Sequence, residues 1–459
     1  MMARLASFCT LPHGWWLAVL VASLHLPCTL VAQGSPDEPT LEAFDPQQGM
    51  DENGRIPKPE FPKDIAHPER WRYVPEGRIA PGSIFDRFLS TTFISPVIFT
   101  QSDIGVGGGL VLTDMDFRNQ RRQELANIAL SYTTEGQQRY SISWKRWTDQ
   151  REMPDGGILQ NERAFWAGSL GYSRTLTRRF FGFGSDTQAS DETSYTDQVW
   201  SLGLSRNFAF PEVDGDWTAF LGFLVESHQL SSGAVSGIPS TEQIHSGLMT
   251  AGDGRGLLWL RGGISLDTRD SQSNPYRGTN LGFSISAAPI QSESESGAVF
   301  HLGGSQILPM PSLFHDGGDR REENPPTDTL AFAAFANTTS GDLPFYSLPT
   351  LGGSNTLRGY IRNRWTDRTS WHASGEYRFW FVPRGFKFTK RVRVERIGGA
   401  VFYDIGSVAD RIGDFGTAEV LKSYGVGLRV GIERTATIRL DLGFSREGSN
   451  LILTFGLPF

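Results

Sequence analysis

From about residue 91 to the end of the chain, apolar and polar residues change places at every second position, and this limits the fold more than any other property. Between Thr369 and Phe381 one parity holds Trp371, Ala373, Gly375, Tyr377, Phe379 and Phe381, and the other holds Ser370, His372, Ser374, Glu376, Arg378 and Trp380. Successive side chains of a strand point to opposite faces, so this is a ribbon with one apolar and one charged surface. Residues 436–444 repeat it, with Ala436, Ile438, Leu440, Leu442 and Phe444 against Thr437, Arg439, Asp441 and Gly443. Residues 279–288 set Leu281, Phe283, Ile285 and Ala287 against Asn280, Gly282, Ser284 and Ser286. A soluble antiparallel sandwich also alternates. Charges in strand centres, aromatics at strand ends, and the 369 residues after position 90 instead fit a wall with lipid outside and water inside.

The expected fold class is all-β, a 16-stranded antiparallel transmembrane β-barrel over 91–459. The strands are expected at 92–100, 104–113, 124–133, 138–147, 163–173, 196–208, 216–228, 256–268, 279–288, 296–307, 328–338, 370–381, 395–405, 421–432, 436–444 and 450–459. Closure satisfies every backbone hydrogen bond within lipid and leaves no open edge. Pro96 interrupts the first strand and cannot donate to a ladder, which weakens the expected seam with the last strand. That last strand places Leu451, Leu453, Phe455, Leu457 and Phe459 on one apolar face. Phe455, Leu457 and Phe459 are the candidate C-terminal insertion signal.

The front of the chain is different. Residues 1–32 read as a secretory signal peptide: Arg4, an apolar run through Trp15, Trp16, Leu17 and Val19, and a small-residue exit at Leu30-Val31-Ala32. Both cysteines, Cys9 and Cys28, fall inside it, so the mature chain has neither a disulfide framework nor a thiolate metal site. Residues 33–90 carry nine prolines and few β-branched residues, and are expected to form a mostly disordered tether in the periplasm, with Trp71, Tyr73 and Phe85 docking locally. The net charge of −7 disfavours nucleic-acid binding.

One stretch breaks the alternation. Leu351-Gly352-Gly353-Ser354-Asn355-Thr356-Leu357-Arg358-Gly359-Tyr360 has the glycines and the Ser-Asn turn of a loop, and falls between the eleventh and twelfth expected strands. On the next two strands Glu376 and Asp404 point inward by parity. Two carboxylates in one lumen repel unless a cation lies between them. The planar fork of Arg358 can bond both, whereas ordinary luminal charges would pair with Arg378 or Arg396 instead.

Leu357-Arg358-Gly359-Tyr360 after Gly352-Gly353 resembles the luminal loop of the BamA/TamA-type outer-membrane barrels, also called the bacterial surface antigen family. Further stretches resemble the same family: Leu266-Asp267-Thr268-Arg269-Asp270 with Asn274-Pro275 and Arg277-Gly278; Phe402-Tyr403-Asp404-Ile405-Gly406-Ser407-Val408; Tyr424-Gly425-Val426-Gly427-Leu428-Arg429; and Ile438-Arg439-Leu440-Asp441-Leu442-Gly443-Phe444. The resemblance implies an inward-folded loop between strands 11 and 12, latched by Leu357, Arg358, Gly359 and Tyr360 onto Glu376 and Asp404. It also implies a barrel in the bacterial outer membrane that assists insertion or translocation of polypeptides or lipids, with client polypeptides and a periplasmic or lipoprotein subunit as partners beside the outer-membrane lipids. Residues 33–90 leave no room for the polypeptide-transport-associated domains that usually precede such barrels, so a short member is expected. A passive or loop-plugged pore for small solutes is the second reading.

A barrel hydrolase is the third. Ala167-Gly168-Ser169-Leu170-Gly171 lacks the first glycine of a nucleophile elbow and lies in a strand. No two histidines after the signal have zinc-protease spacing, and the glycine run 105–109 lacks the Lys and helix of a phosphate loop. No enzyme activity, metal or cofactor is expected.

Overall fold

The structure is a computed structural model, and it describes residues 60–74, 92–101, 105–119, 121–249, 252, 254–272, 274–292, 295–318, 322, 325–387, 393–432 and 436–459. The expected signal peptide, most of the tether and Phe85 lie outside the described residues.

One large antiparallel sheet curls into a closed barrel. Its strands are β1 (Thr92–Gln101), β2 (Gly105–Asp114), β3 (Glu124–Thr133), β4 (Gln138–Trp147), β5 (Phe165–Phe180), β6 (Thr193–Phe210), β7 (Trp217–Ser232) and β8 (Gly254–Asp267). They continue as β9 (Gly278–Gln291), β10 (Gly297–Met310), β11 (Asp328–Gly341), β12 (Thr369–Val382), β13 (Arg393–Ala409), β14 (Leu421–Ile432), β15 (Ala436–Ser445) and β16 (Gly448–Phe455), with the two-residue piece Phe386–Lys387 pairing onto the start of β13. Each strand pairs antiparallel with the next, as when Pro96 of β1 lies opposite Leu110 of β2 and Glu376 of β12 opposite Phe402 of β13. Up-and-down connection follows from the sequence: alternating segments succeed one another with no crossover helix among the described residues to make a parallel pair.

The two faces follow parity. Outward positions such as Leu221, Leu281, Leu302, Tyr424 and Phe455 are exposed large hydrophobics, whereas Glu376, Asp404, Arg429, Arg439 and Asp441 are buried inside. A surface of this kind is stable only against hydrocarbon, which makes the outward band the lipid-facing wall.

Several strands outrun the alternation that announced them. β5 reaches Phe180 and β6 begins at Thr193, well beyond the expected 173 and 196. A bulge between Thr175 and Arg178 breaks the parity there and hides the continuation. β16 departs in the other direction. It ends at Phe455, Gly456 turns with φ +81°, and Leu457 and Phe459 lie outside the strand.

Of the expected tether, residues 60–74 are described, and they include Trp71 and Tyr73. Trp71–Val74 pairs with Ile158–Asn161, which pairs in turn with Gln150–Glu152 to complete a small three-stranded sheet. Ile65, Trp71 and Leu159 make its core. The Trp71 indole donates to Asp214 Oδ1 at 2.6 Å, Arg70 reaches Asp216 at 2.5 Å, and the Tyr73 hydroxyl donates to Asp155 at 2.5 Å. Proline density gives no sign of this sheet, because the partner strand comes from the connection between β4 and β5, remote in sequence.

Candidate functional site

The connection between β11 and β12, residues 342–368, folds into the barrel. Thr350–Leu351 pairs with Trp365–Thr366 at its base, and the chain between them forms a compact tip. Gly352 and Gly353 take φ of +106° and +100°, a region that side chains with a Cβ avoid. The tip closes on itself: Gly353 N donates to Tyr360 O at 3.1 Å, Gly352 N to Thr356 Oγ1 at 2.8 Å and Tyr360 N to Leu357 O at 3.0 Å. Leu351, Leu357, Tyr360 and Trp365 then form one apolar cluster with Val408 and Leu421 of the wall. Leu357 and Tyr360 thus serve as packing anchors on either side of Arg358.

Arg358 is 1% exposed and sits between the two expected carboxylates. Its backbone N, Nε and Nη2 donate to Asp404 at 3.1, 3.0 and 2.8 Å. Nη1 donates to Glu376, and Nη2 also reaches Ser374 Oγ at 3.2 Å. The guanidinium lies 3.5 Å above the Phe402 ring centroid. Burial opposes its charge, but Asp404 and Glu376 outweigh that and hold the Arg358 pKa above its ordinary value.

The pairing with Arg378 is present as well. Glu376 accepts from Arg378 Nε at 2.8 Å and lies 3.1 Å from Arg429 Nη2, so it serves three cations at once. Arg396 goes elsewhere, to Glu395 at 3.1 Å and the Tyr276 hydroxyl at 2.6 Å. Asp441 bonds Arg429 at 2.6 Å, and Arg439 reaches back to the loop at Ser354 O, 2.8 Å, and Asn355, 3.0 Å.

Glycine makes room for the backbone of the tip. A Cβ on Gly359 would stand 2.4 Å from Phe444 O, and one on Gly443 of β15 would stand 2.5 Å from Arg358 O. The carbonyls so admitted are all used: Ser445 Oγ donates to Gly359 O at 3.0 Å, and Asn450 Nδ2 to Arg358 O and Tyr360 O at 3.2 and 2.9 Å.

A second arginine, which alternation could not single out, also moors the loop. Arg364 is 1% exposed, donates to both oxygens of Glu447 at 2.8–3.0 Å, and bonds Thr187 Oγ1 and O at 3.0 and 2.8 Å. Its guanidinium is stacked on Trp365 and Phe181, 3.8 and 4.4 Å from the ring centroids. Glu447 lies in the β15–β16 turn and Thr187 in the β5–β6 connection, where no periodicity marks a residue. The only sequence signal was an Arg following Asn363, whose φ of +58° turns the chain outward again.

The candidate insertion signal is split. Phe455 is 72% exposed on the outer face. Phe459 lies beside Arg378, which donates to its carbonyl oxygen at 3.2 Å and stands 5.1 Å from its ring centroid. Arg378 faces inward, so the last residues turn away from the lipid side after Gly456.

The Omp85 superfamily domain matches residues 122–456, nearly the whole barrel and its inward loop. The chain belongs to the Omp85 superfamily. Solved structures similar to this Omp85 barrel include BamA from Haemophilus ducreyi lacking POTRA domains 1–3, at 15% identity and a TM-score of 0.48, covering 80% of this chain and 69% of that one. CdiB from Acinetobacter baumannii is similar at 10% identity and a TM-score of 0.46, covering 80% of this chain and 59% of that one. No curated protein matches the sequence.

The mid-barrel motif of this Omp85 chain forms the β8–β9 turn. Asp267 accepts from Arg269 Nε at 2.9 Å and Nη2 at 3.0 Å, and Asp270 Oδ1 accepts from Tyr276 N at 3.0 Å. Burial pushes the Asp270 carboxyl up from its ordinary pKa. Tyr276 ties the turn to Arg396 of β13.

Proposed function

We propose that this chain is a 16-stranded outer-membrane barrel whose loop between strands 11 and 12 is a luminal plug, and that it assists insertion or translocation of polypeptides at the outer membrane. The observation that carries the reading is the buried Arg358 bonded to both Glu376 and Asp404 within an Omp85 superfamily barrel. Such a latch keeps a water-filled barrel sealed while its wall stays free to work. Leu357, Arg358, Gly359 and Tyr360 are the latch, and the small sheet around Trp71, at the periplasmic end of the barrel, offers a foothold for a periplasmic or lipoprotein subunit.

The site of work is the seam between β1 and β16. Pro96 removes a donor from β1, and the chain after Phe455 leaves the strand direction, so both edges present short ladders. Client strands would be received there, with Phe455 toward lipid and Phe459 held by Arg378. The test is a disulfide engineered across β1 and β16 in the otherwise cysteine-free mature chain. Crosslinks to nascent polypeptides in native membranes should vanish when it is oxidised and return on reduction; unchanged crosslinking in the locked barrel would sink the proposal.

A plugged pore for small solutes is favoured by one observation. Away from the plug the wall is lined by Ser141, Ser143, Ser169, Ser173, Ser201 and Ser205, which share the parity opposite to the lipid-facing Ile142, Leu170 and Leu202. A large steady single-channel conductance, with no polypeptide crosslinks at the seam, would support that reading instead.

A further inference from the structure

We propose that the outer wall of β4–β6 binds an anionic phospholipid of the periplasmic leaflet, with its phosphate held by Arg146 and Arg206 beside Trp166 and an acyl chain laid in the recess at Gly168. The register sets the outward side chains of these strands in rows. Tyr140, Tyr172 and Trp200 form one, with successive ring centroids 6.2 and 4.8 Å apart. Ile142, Leu170 and Leu202 form the next, then Trp144, Gly168 and Leu204, and last Arg146, Trp166 and Arg206. Ile142, Leu170, Leu202 and Trp166 are exposed, so these rows belong to the lipid-facing wall. The basic row lies where β4 ends and β5 begins, beside the connection that supplies Gln150–Glu152 and Ile158–Asn161 to the small sheet.

Contacts bring the two arginines together. Neighbouring strands are about 4.8 Å apart, so the register alone starts Arg146 and Arg206 roughly 10 Å from each other. Arg206 then reaches across β5. Its guanidinium stands 5.5 Å from the Trp166 ring centroid, and Nη1 donates at 2.9 Å to Thr148 Oγ1, two residues beyond Arg146. Among the described residues no carboxylate pairs with Arg206. Arg146 Nη1 donates to Glu124 at 3.0 Å, but that carboxylate also accepts from Arg118 Nε at 2.7 Å. Glu124 is 0% exposed beneath them, whereas the Arg146 side chain is 39% exposed. Arg118 balances Glu124, so Arg146 and Arg206 bring surplus positive charge to the outer face. Guanidinium forks match phosphate oxygens, and a headgroup phosphate is the anion that a lipid-facing surface meets. The ammonium of a zwitterionic headgroup would be repelled by the same surplus, which selects an anionic lipid. In the adjoining row Gly168 omits a side chain: a Cβ there would lie 3.6 Å from the Trp144 ring and 3.8 Å from the Leu204 side chain. The omission leaves a groove between Trp144 and Leu204, leading from the arginines into the apolar wall, where an acyl chain can lie. The site rests on the outer-membrane reading and its periplasmic end, and not on what passes the seam.

The test is native mass spectrometry of the folded full-length protein, released from detergent loaded with equal amounts of phosphatidylglycerol and phosphatidylethanolamine. Preferential retention of phosphatidylglycerol is expected. Arg206→Gln should weaken that retention about tenfold, the usual cost of one charge-assisted hydrogen bond, and Arg146→Gln/Arg206→Gln should erase the preference. Gly168→Leu fills the groove and should weaken retention of both lipids alike. Arg174→Gln, on the outer parity at the far end of the apolar rows and opposite Gln138, should behave like the parent. A band shifted by heating on semi-native gels shows that each variant is folded. Equal retention of the two lipids by a parent that is heat-modifiable and enters vesicles overturns the site and leaves the outer-membrane reading standing. An undiminished preference in folded Arg206→Gln also overturns it, and a parent that stays out of vesicles overturns both.

Discussion

Removing the Arg358 guanidinium should separate two carboxylates that the sequence presents as equals. Apart from Arg358, the donors to Asp404 among the described residues are two hydroxyls, Ser374 at 2.6 Å and Ser423 at 3.2 Å. Glu376 keeps Arg378 at 2.8 Å and Arg429 at 3.1 Å. In Arg358→Ala, then, Asp404 is the carboxylate stranded without a cation, while Glu376 remains neutralised. Deleting one partner of a buried ion pair costs about 3–5 kcal/mol. On the equilibrium between seated and released loop that is roughly two to four orders of magnitude. Limited proteolysis within 342–368 reads it directly, and heat-modifiability on semi-native gels reports whether the barrel itself has folded. The second substitution is the discriminating one. Arg358→Ala/Asp404→Asn should recover most of the protease resistance, because no bare carboxylate is left. Arg358→Ala/Glu376→Gln should worsen it, since Arg378 and Arg429 then lose their shared partner. Equal recovery by either double variant, or wild-type resistance in Arg358→Ala alone, would refute the division of labour.

Arg364→Ala, or Glu447→Gln, should release the other end of the loop at a cost of about 1.5–3 kcal/mol, the range for hydrogen bonds to charged groups, seen as faster cleavage with the Arg358 seat intact. Gly443→Ala and Gly359→Ala should both unseat the tip, given Cβ positions 2.5 and 2.4 Å from backbone oxygens, whereas Gly108→Ala, with nothing within 4 Å, should leave the thermal midpoint unchanged. Trp71→Ala removes a buried aromatic worth about 3–5 kcal/mol and should detach the three-stranded sheet, read as rapid hydrogen exchange over 150–161. Asp270 has a raised folded pKa, so its ionisation costs stability as pH rises through that value, and the cost is absent below the ordinary carboxyl range. Asp270→Asn should therefore raise the thermal midpoint at neutral pH and not in acid; a gain at both would assign the effect to packing.

Most of the barrel was legible because lipid and water impose opposite demands on adjacent residues, and the chain records them as parity. The same parity placed Glu376 and Asp404 inside and made Arg358 their natural cation. It carried no information where parity ends. The bulge after Thr175 hid the rest of β5, and the Arg364–Glu447 pair joins a loop to a tight turn that no period describes. The partner of Trp71–Val74 was not legible for a different reason: proline density reports the cost of ordering a segment by itself, not the gain from pairing with Ile158–Asn161. Gly456 and Pro458 were visible as turn residues, yet the alternation of Phe455, Leu457 and Phe459 outweighed them on paper. In three dimensions Arg378 draws Phe459 inward.

The side chains that hold Arg358 and Gly359 share one property of order. Ser374, Glu376, Phe402, Asp404, Ser445 and Asn450 all follow the loop in the chain. Arg358 therefore lacks both its carboxylates while only the first eleven strands exist, and the last two hydrogen bonds of the tip wait for Asn450 on the final strand. Seating is completed late in the life of the molecule, and a tip whose Arg358 and Tyr360 carbonyls are both satisfied belongs to a barrel whose final hairpin has already been laid down.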